Sequence, residues 1–183
     1  MSLRVTVLGG GAWGTALAMQ MRRAGNEVRL WARDAETVAA IRRGENPRYL
    51  PGVTIDAGIE ATTDSAEALD RAGCVLAVTP AQALRDVLGS VGRDVPAGVP
   101  LVLCAKGIEH GTGLLLSGIA RELLPNNPVA ALSGPSFARD LARELPTAVV
   151  VAAGEEALAA SLAQEGKQHG AKTPLSKIIR LRS

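Results

Sequence analysis

The sequence predicts one α/β domain built on a doubly wound, mainly parallel sheet with flanking helices. The chain has 183 residues, 47% of them hydrophobic and 21% charged, a composition typical of a single globular domain. Short apolar runs alternate with segments whose apolar residues have helical spacing. The runs are apolar at consecutive positions, which is typical of parallel strands covered on both faces. Such alternation favours right-handed βαβ units.

The first half of the chain contains three predicted strands, at residues 3–8, 27–32 and 59–62. Residues 14–24 follow a run of glycines and have the spacing of a helix. Asp34 is the expected N-cap of a helix that ends near residue 43, because its carboxylate can accept hydrogen bonds from unpaired N–H groups. Asp64 or Ser65 is expected to cap a further helix in the same way.

The second half continues the alternation, with predicted strands at residues 74–79, 100–105, 129–133 and 147–152. The predicted helices of this half lie at residues 81–91, 112–124, 137–144 and 155–163. Pro80 ends the first of these strands because proline lacks the N–H that a ladder needs. Ser136 is expected to cap the helix that begins at residue 137.

The formal net charge of +2 is unevenly distributed. Residues 164–183 contain Lys167, Lys172, Lys177, Arg180 and Arg182 against the single acid Glu165, so the rest of the chain is mildly acidic. This basic tail has no aromatic residue to stack on bases, and we expect no nucleic-acid binding. Its abrupt change in composition suggests a truncated or non-native end, and we expect it to be disordered or loosely docked.

The two cysteines indicate a reducing compartment. Cys74 and Cys104 lie inside apolar runs without a CxxC pair, so we expect two buried, reduced thiols in a cytoplasmic protein. No stretch approaches the length of a membrane span or the pattern of a signal peptide, and we expect no membrane insertion. His110 and His169 are isolated from other ligating residues, so no metal site is expected.

Residues 9–14 fit the pattern G-x-G-x-x-G, which binds dinucleotides when it joins a strand to a helix. Gly9 allows the tight turn, Gly11 lets the backbone approach a pyrophosphate, and Gly14 lets the helix and strand pack closely. The helix N-terminus then offers unpaired N–H groups to the phosphates. This pattern predicts a Rossmann-like domain at residues 1–163, followed by the basic tail at residues 164–183.

The end of the second predicted strand decides between the two nicotinamide dinucleotides. A carboxylate there would bind the ribose hydroxyls of NAD and repel a 2′-phosphate. Here Arg33 follows Trp31 and Ala32, and Asp34 comes too late in the chain, where it serves better as a helix cap. A guanidinium can bind the 2′-phosphate. We therefore expect NADP(H) as the preferred cofactor, with NAD(H) possible.

Two further positions follow strands at the edge where open parallel sheets bind ligands. Lys106 is the single lysine before residue 167, and it could hold a phosphate or hydroxyl of a substrate, or simply be a surface lysine. Ser136 could likewise help bind an anion at the helix N-terminus, or only cap that helix.

Six segments together resemble the bacterial NAD(P)-dependent glycerol-3-phosphate dehydrogenases. They are GGGAWGTALA at residues 9–18, WARD at 31–34, NPRYLPG at 46–52, AVTPAQALRDVL at 77–88, CAKGIE at 104–109 and LSGPSFARDLARELPTAV at 132–149. The resemblance implies interconversion of dihydroxyacetone phosphate and sn-glycerol 3-phosphate for phospholipid synthesis. It implies cofactor contacts at Ala12, Trp13, Arg33, Tyr49, Lys106 and Ala138. It implies substrate contacts at Lys106, Gly134 and Ser136.

The resemblance also implies a second, helical domain that carries the general acid/base lysine. No matching motif occurs before Ser183, and Lys172 is not assigned that role. We therefore expect the chain alone to bind cofactor with little turnover, and to self-associate or dimerise. Two alternatives stay open: a dinucleotide-binding module without catalysis, and another dehydrogenase that joins a Rossmann domain to a helical one, such as a hydroxyacid or 6-phosphogluconate type.

Overall fold

The computed structural model describes residues 2–165 and 178–180. The strands are β1 (Arg4–Leu8), β2 (Glu27–Trp31), β3 (Ile59–Thr62), β4 (Cys74–Ala77), β5 (Leu101–Leu103), β6 (Val129–Ser133), β7 (Val150–Ala153) and β8 (Ile178–Arg180). The α-helices are α1 (Ala12–Arg23), α2 (Ala35–Arg42), α3 (Ser65–Leu69), α4 (Leu84–Val91), α5 (Leu116–Leu123), α6 (Ala138–Ala142) and α7 (Glu156–Glu165). Two 3₁₀ turns flank α4, Ala81–Ala83 before it and Gly92–Asp94 after it.

The strands of the described residues form one sheet in the order β3-β2-β1-β4-β5-β6-β7-β8. Strands β1 to β6 are all parallel, so the chain winds outward from β1 first through β2 and β3, and then through β4, β5 and β6. This confirms the predicted doubly wound, mainly parallel sheet. The order reverses between β1 and β4, and such a reversal opens a crevice at the carboxyl ends of the two strands.

The core lies on both faces of the sheet, as the consecutive apolar runs predicted. In β5, Leu101 and Leu103 pack into one apolar cluster while Val102 packs into the other. The side chains of a strand alternate between faces, so a strand with a core on each side must be apolar throughout. The single described phenylalanine, Phe137, is 74% exposed and belongs to neither cluster.

Two elements differ from the sequence prediction. Helix α5 begins at Leu116, four residues later than predicted, because Gly111 and Gly113 have positive φ angles and Ile108 pairs with Leu115 in an antiparallel bridge. Strand β7 runs antiparallel to β6. Before β7, the short helix α6 packs against α1, and the Arg23 guanidinium of α1 donates hydrogen bonds to two carbonyl oxygens in the last turn of α6.

The basic tail falls largely outside the described residues. Residues 166–177, which include Lys172 and His169, and residues 181–183 are not described, so the expectations for them stay predictions. The described segment of the tail forms β8, which pairs parallel with β7. The sequence did not predict β8. The boundary predicted at residue 163 falls inside α7, which ends at Glu165.

Candidate functional site

The glycine loop lies at the carboxyl end of β1, where the winding of the sheet reverses. Gly9 has a φ of 131°, and a Cβ at this position would collide with the carbonyl oxygen of Val78. A Cβ on Gly14 would collide with the carbonyl oxygen of Gly9. Both positions therefore require glycine, because the loop, α1 and the chain after β4 pack backbone against backbone.

Gly11 has a different role from its two neighbours in the motif. It has a φ of −72°, which any residue can adopt, and a Cβ there would meet no atom of the described residues within 4 Å. It is the N-cap of α1, with no capping side chain and no acidic residue in the first turn of the helix. The first N–H groups of α1 therefore face an open space, an arrangement suited to a phosphate.

A cavity of about 300 Å³ lies beside this loop, and we call it the glycine-loop cavity. Arg33 and Tyr49, both predicted cofactor residues, line it together with Gly9 and Gly11. Within the described part of the chain, the exposed Arg33 guanidinium has no hydrogen-bond or ion-pair partner. Thr79 also lines the cavity, and its buried hydroxyl has no hydrogen-bond partner among the described residues. The cavity thus combines a free cation, an aromatic ring and an open anion cradle, which fits a dinucleotide.

Asp34 caps α2, as the sequence predicted. Its carboxylate accepts hydrogen bonds from the N–H groups of Glu36 and Thr37 and from the Thr37 hydroxyl. The Thr37 hydroxyl contributes most to lowering the pKa of Asp34, and the nearby Arg48 guanidinium lowers it further. Asp34 is therefore ionised at neutral pH, and its oxygens are largely committed to the helix.

Asn46 joins the glycine loop to the following NPRYLPG loop, at residues 46–52. Its side chain is buried, and its amide donates 2.9 Å hydrogen bonds to the Gly10 carbonyl and to the Thr15 hydroxyl. The N–H groups of Tyr49 and Leu50 in turn donate to the Asn46 carbonyl. This role of Asn46 was not predicted, because an asparagine in a polar loop looks like an ordinary turn residue.

The predicted substrate residues meet at a second cavity of about 270 Å³, which we call the Lys106 cavity. Lys106, Gly134 and Ser136 line it with Trp13 and Cys104. The Lys106 ammonium is exposed and lies 3.4 Å from the Gly134 carbonyl oxygen. Residues far apart in sequence therefore converge here, because β5 and β6 end at the same edge of the sheet.

The prediction that Ser136 caps α6 is wrong. The N-cap position is Phe137, and no side chain caps the helix. The Ser136 hydroxyl instead donates a 2.7 Å hydrogen bond to the Ala148 carbonyl. The same carbonyl lies so close to Gly134 that a Cβ there would collide with it. The chain before β7 thus packs closely against the Gly134–Ser136 turn. Helix propensity alone does not reveal this contact.

The remaining predicted cofactor residues are the two alanines. Ala12 and Ala138 are half-buried and pack against the core cluster on the α1 side of the sheet. Neither is among the residues that line the glycine-loop cavity or the Lys106 cavity. Their predicted contacts with the cofactor therefore stay predictions.

Cys74 and Cys104 are buried and are not joined by a disulfide, as predicted. Burial raises the pKa of the Cys104 thiol far above its usual range, which keeps it protonated. Over residues 2–165 and 178–180, no group of three or more side chains is arranged to hold a metal ion. No helix in that same part is both long and apolar enough to cross a bilayer.

Residues 4–159 match the family model described as the N-terminus of NAD-dependent glycerol-3-phosphate dehydrogenase. The glycerol-3-phosphate dehydrogenase [NAD(P)+] of Mesorhizobium japonicum is 70% identical over 88% of this chain and 47% of that protein. The enzyme of the same name from a Chelativorans strain is 60% identical over 88% of this chain and 50% of that protein. The chain therefore spans about half the length of the curated relatives it matches.

Solved structures give the same result. The crystal structure of the Coxiella burnetii glycerol-3-phosphate dehydrogenase aligns with a TM-score of 0.86 at 30% identity, over 98% of this chain and 54% of that one. The Plasmodium falciparum glycerol-3-phosphate dehydrogenase aligns with a TM-score of 0.84 at 26% identity, over 98% of this chain and 52% of that one.

Proposed function

Because the chain belongs to the family of NAD-dependent glycerol-3-phosphate dehydrogenase N-terminal domains, we propose that it forms the cofactor-binding part of such an enzyme. The reaction is the interconversion of dihydroxyacetone phosphate and sn-glycerol 3-phosphate, which supplies phospholipid synthesis. The observation that carries the proposal is the meeting of the predicted residues at two cavities, one beside the glycine loop and one beside Lys106. Trp13, in the first turn of α1, contributes to the second cavity and brings it close to the first.

The cofactor is NADP(H), with NAD(H) also accepted. Gly9, Gly11 and Gly14 form the cradle for the pyrophosphate, with Ala12 and Trp13 on the first turn of α1. Arg33 binds the 2′-phosphate and Tyr49 lies against the adenosine, a role supported by their common cavity and by the unpaired Arg33 guanidinium. Lys106 and Ala138 lie towards the nicotinamide. When bound, the nicotinamide supplies or accepts the hydride.

The substrate part of the site has one cation and a backbone turn. Lys106 attracts the phosphate or polarises the carbonyl of a phosphorylated small molecule, while Gly134 and Ser136 provide its contacts at the turn after β6. The family's acid/base lysine matches no described residue of this chain. General acid catalysis can contribute about 10²–10⁴-fold. We therefore expect the 183-residue chain to bind cofactor and to turn over slowly or not at all.

The test is a titration of the purified chain with NADPH and with NADH, followed by nucleotide fluorescence. Wild type is expected to bind both, NADPH more tightly, and Arg33→Ala is expected to weaken NADPH selectively. Absence of binding by either nucleotide would contradict the proposal. Glycerol 3-phosphate should then raise the melting temperature only when NADP is present, and Lys106→Met should abolish that increase. A rise from NADP alone, with none from glycerol 3-phosphate, would favour a nucleotide-binding module without catalysis.

Location and assembly are part of the same proposal. We place the protein in the cytoplasm, supported by two buried thiols that are not disulfide-bonded. Homodimerisation or looser self-association is supported by large apolar side chains at the surface, including Phe137 and Leu115. Sedimentation or size-exclusion chromatography of the purified chain tests it.

A further inference from the structure

Arg48, in the NPRYLPG loop, lies at the edge of the glycine-loop cavity. Its Nη1 is 3.7 Å from the Asp34 carboxylate, and its guanidinium carbon is 5.1 Å from the centre of the Tyr49 ring. Asp34 and Tyr49 both line the glycine-loop cavity together with Arg33. Arg48 itself lines an adjoining depression of about 340 Å³ that shares Asp34 and Thr37 with the first. The same end of β2 therefore has two arginines around one carboxylate.

The charge at this position depends on Arg48. Asp34 is ionised and lies directly after Arg33, so the two charges would cancel if no other cation were present. A carboxylate close to a doubly charged phosphate is repulsive, and this repulsion is how other dinucleotide-binding domains select against NADP. Arg48 restores a net positive charge beside Asp34. Of the other charged residues that line the adjoining depression, Arg43 is paired with Glu45 at 3.3 Å, and Glu36 does not line the glycine-loop cavity.

The Arg48 side chain contributes little to the stability of the fold. It is 68% exposed, and its ion pair with Asp34 is long. Exposed ion pairs of this kind contribute little to stability, so the arginine can turn from Asp34 towards a ligand at small cost. The loop that carries it is fixed beneath by Asn46, which holds Gly10 and Thr15 through two 2.9 Å hydrogen bonds. The backbone of the Arg48 loop is thus held in place, while the exposed guanidinium can reorient towards a ligand.

We propose that Arg48 is a second specificity-determining residue, which binds the 2′-phosphate of NADP(H) from the side opposite Arg33 and offsets the charge of Asp34. This inference rests on the proposed function, since it assumes that the glycine-loop cavity takes the adenosine end of a nicotinamide dinucleotide. Two guanidinium groups can share the oxygens of one phosphate, and each adds charge-assisted hydrogen bonds. NADH lacks that phosphate and gains nothing from either arginine.

The test compares the dissociation constants of NADPH and NADH for wild type, Arg48→Ala and Arg43→Ala. Arg43→Ala is the matched control, because it removes an exposed arginine near the same loop whose partner is Glu45. We expect Arg48→Ala to weaken NADPH binding by about tenfold, as the loss of one charge-assisted contact implies. NADH binding and the melting temperature should change little, and Arg43→Ala should resemble wild type. Competition by 2′-phospho-ADP-ribose and by ADP-ribose isolates the phosphate from the nicotinamide.

Three other binding results would overturn the proposed role of Arg48, and a fourth would overturn the proposed function. An equal loss for NADPH and NADH would show that Arg48 stacks on the adenine, which overturns the proposed role. Unchanged binding of both, or an equal selective loss in Arg43→Ala, would also overturn it. If wild type binds neither nucleotide, the proposed function itself fails, and the inference fails with it.

Discussion

The two cavities are built in different ways. Around the glycine loop, backbone packs on backbone at Gly9 and Gly14, and the buried Asn46 amide joins two loops by hydrogen bonds. Around Lys106, the lysine is exposed with a single 3.4 Å contact, and Phe137, next to Ser136, is 74% exposed. The nucleotide side is therefore shaped mainly by contacts inside the fold, whereas the substrate side combines exposed side chains with the buried Cys104 and the tight turn at Gly134. Mutations of Gly14 and Asn46 should therefore affect stability, whereas mutation of an exposed side chain such as Lys106 should mainly affect ligand binding.

The largest expected effect is the loss of stability in Gly14→Ala, which Gly11→Ala should not share. In Gly14→Ala the new Cβ meets the Gly9 carbonyl oxygen. We expect loss of nucleotide binding and destabilisation by about 3 kcal/mol, the upper range for an overpacked site. Gly11→Ala is the control, because its Cβ meets no atom within 4 Å. That variant should keep wild-type stability in urea yet bind NADPH more weakly, since the methyl group occupies the space left for the phosphate. A normally stable Gly14→Ala would refute the packing argument.

A smaller effect is expected where hydrogen bonds hold the loops. Asn46→Ala removes the amide that donates to Gly10 and Thr15 and should cost about 1–3 kcal/mol of unfolding free energy. Asn127→Ala is matched to it, because the Asn127 amide is also buried and donates two 2.8 Å bonds, to Pro96 and Val99, away from both cavities. Both variants should lose similar stability in urea titrations.

The two asparagine variants should differ in nucleotide affinity. Asn46→Ala frees the loop that carries Tyr49, so it should bind both NADPH and NADH more weakly at a temperature where it is fully folded. Asn127→Ala should bind both as wild type does. Equal affinities for the two variants would mean that the glycine-loop cavity does not depend on this connection.

The smallest effect concerns the surface ion pairs beside Lys106. Arg85 pairs with Glu109, three residues after Lys106, and with Glu122 of α5, both at 2.8 Å. These hydrogen bonds lower the pKa of each carboxyl group below its usual 4.5. A lowered pKa in the folded state stabilises the protein above the unfolded pKa, and this stabilisation is lost as the pH falls through the folded value.

The corresponding variant is Arg85→Met. Its melting temperature should be slightly below that of wild type at pH 7, and the gap should close as the pH falls well below 4.5 or as salt is added. The urea stability gap of Asn46→Ala should persist under the same conditions, because neither of its bonds involves a titrating group. A gap for Arg85→Met that is independent of pH would indicate lost packing of the arginine stem instead.

Most of the sheet could be predicted from the sequence, because a strand buried on both faces must be apolar at consecutive positions. The direction of β7 could not, since an apolar run has no sign that distinguishes parallel from antiparallel pairing. The contacts that precede this strand are also non-local, since Arg23 donates hydrogen bonds to the end of α6 from more than a hundred residues away. The late start of α5 likewise follows from a bridge between Ile108 and Leu115 rather than from helix propensity.

The site was predictable in unequal parts. The glycine motif and Arg33 follow from known chemistry at a strand end, and the capping role of Asp34 is local. Their positions after strands already placed Lys106 and Ser136 at the ligand-binding edge of the sheet, and the resemblance added Gly134 and the shared substrate role. Asn46 and Arg48 gave no signal, because their partners lie on other elements and their residue types are ordinary for a loop. The role of Ser136 was misread because a capping position and a contact with the returning chain favour the same residue.

The buried thiol of Cys104 can report local opening of the chain around the Lys106 cavity. Its thiol lines the Lys106 cavity, lies close to the Val102 carbonyl and stays protonated because of its burial. A thiol in this state reacts with an alkylating reagent only while the surrounding chain is open, so its labelling rate counts local opening events at the end of β5. Any molecule that fills the Lys106 cavity should lower the alkylation rate of Cys104. The alkylation rate of this one thiol thus reports occupancy of the substrate side without an assay of turnover.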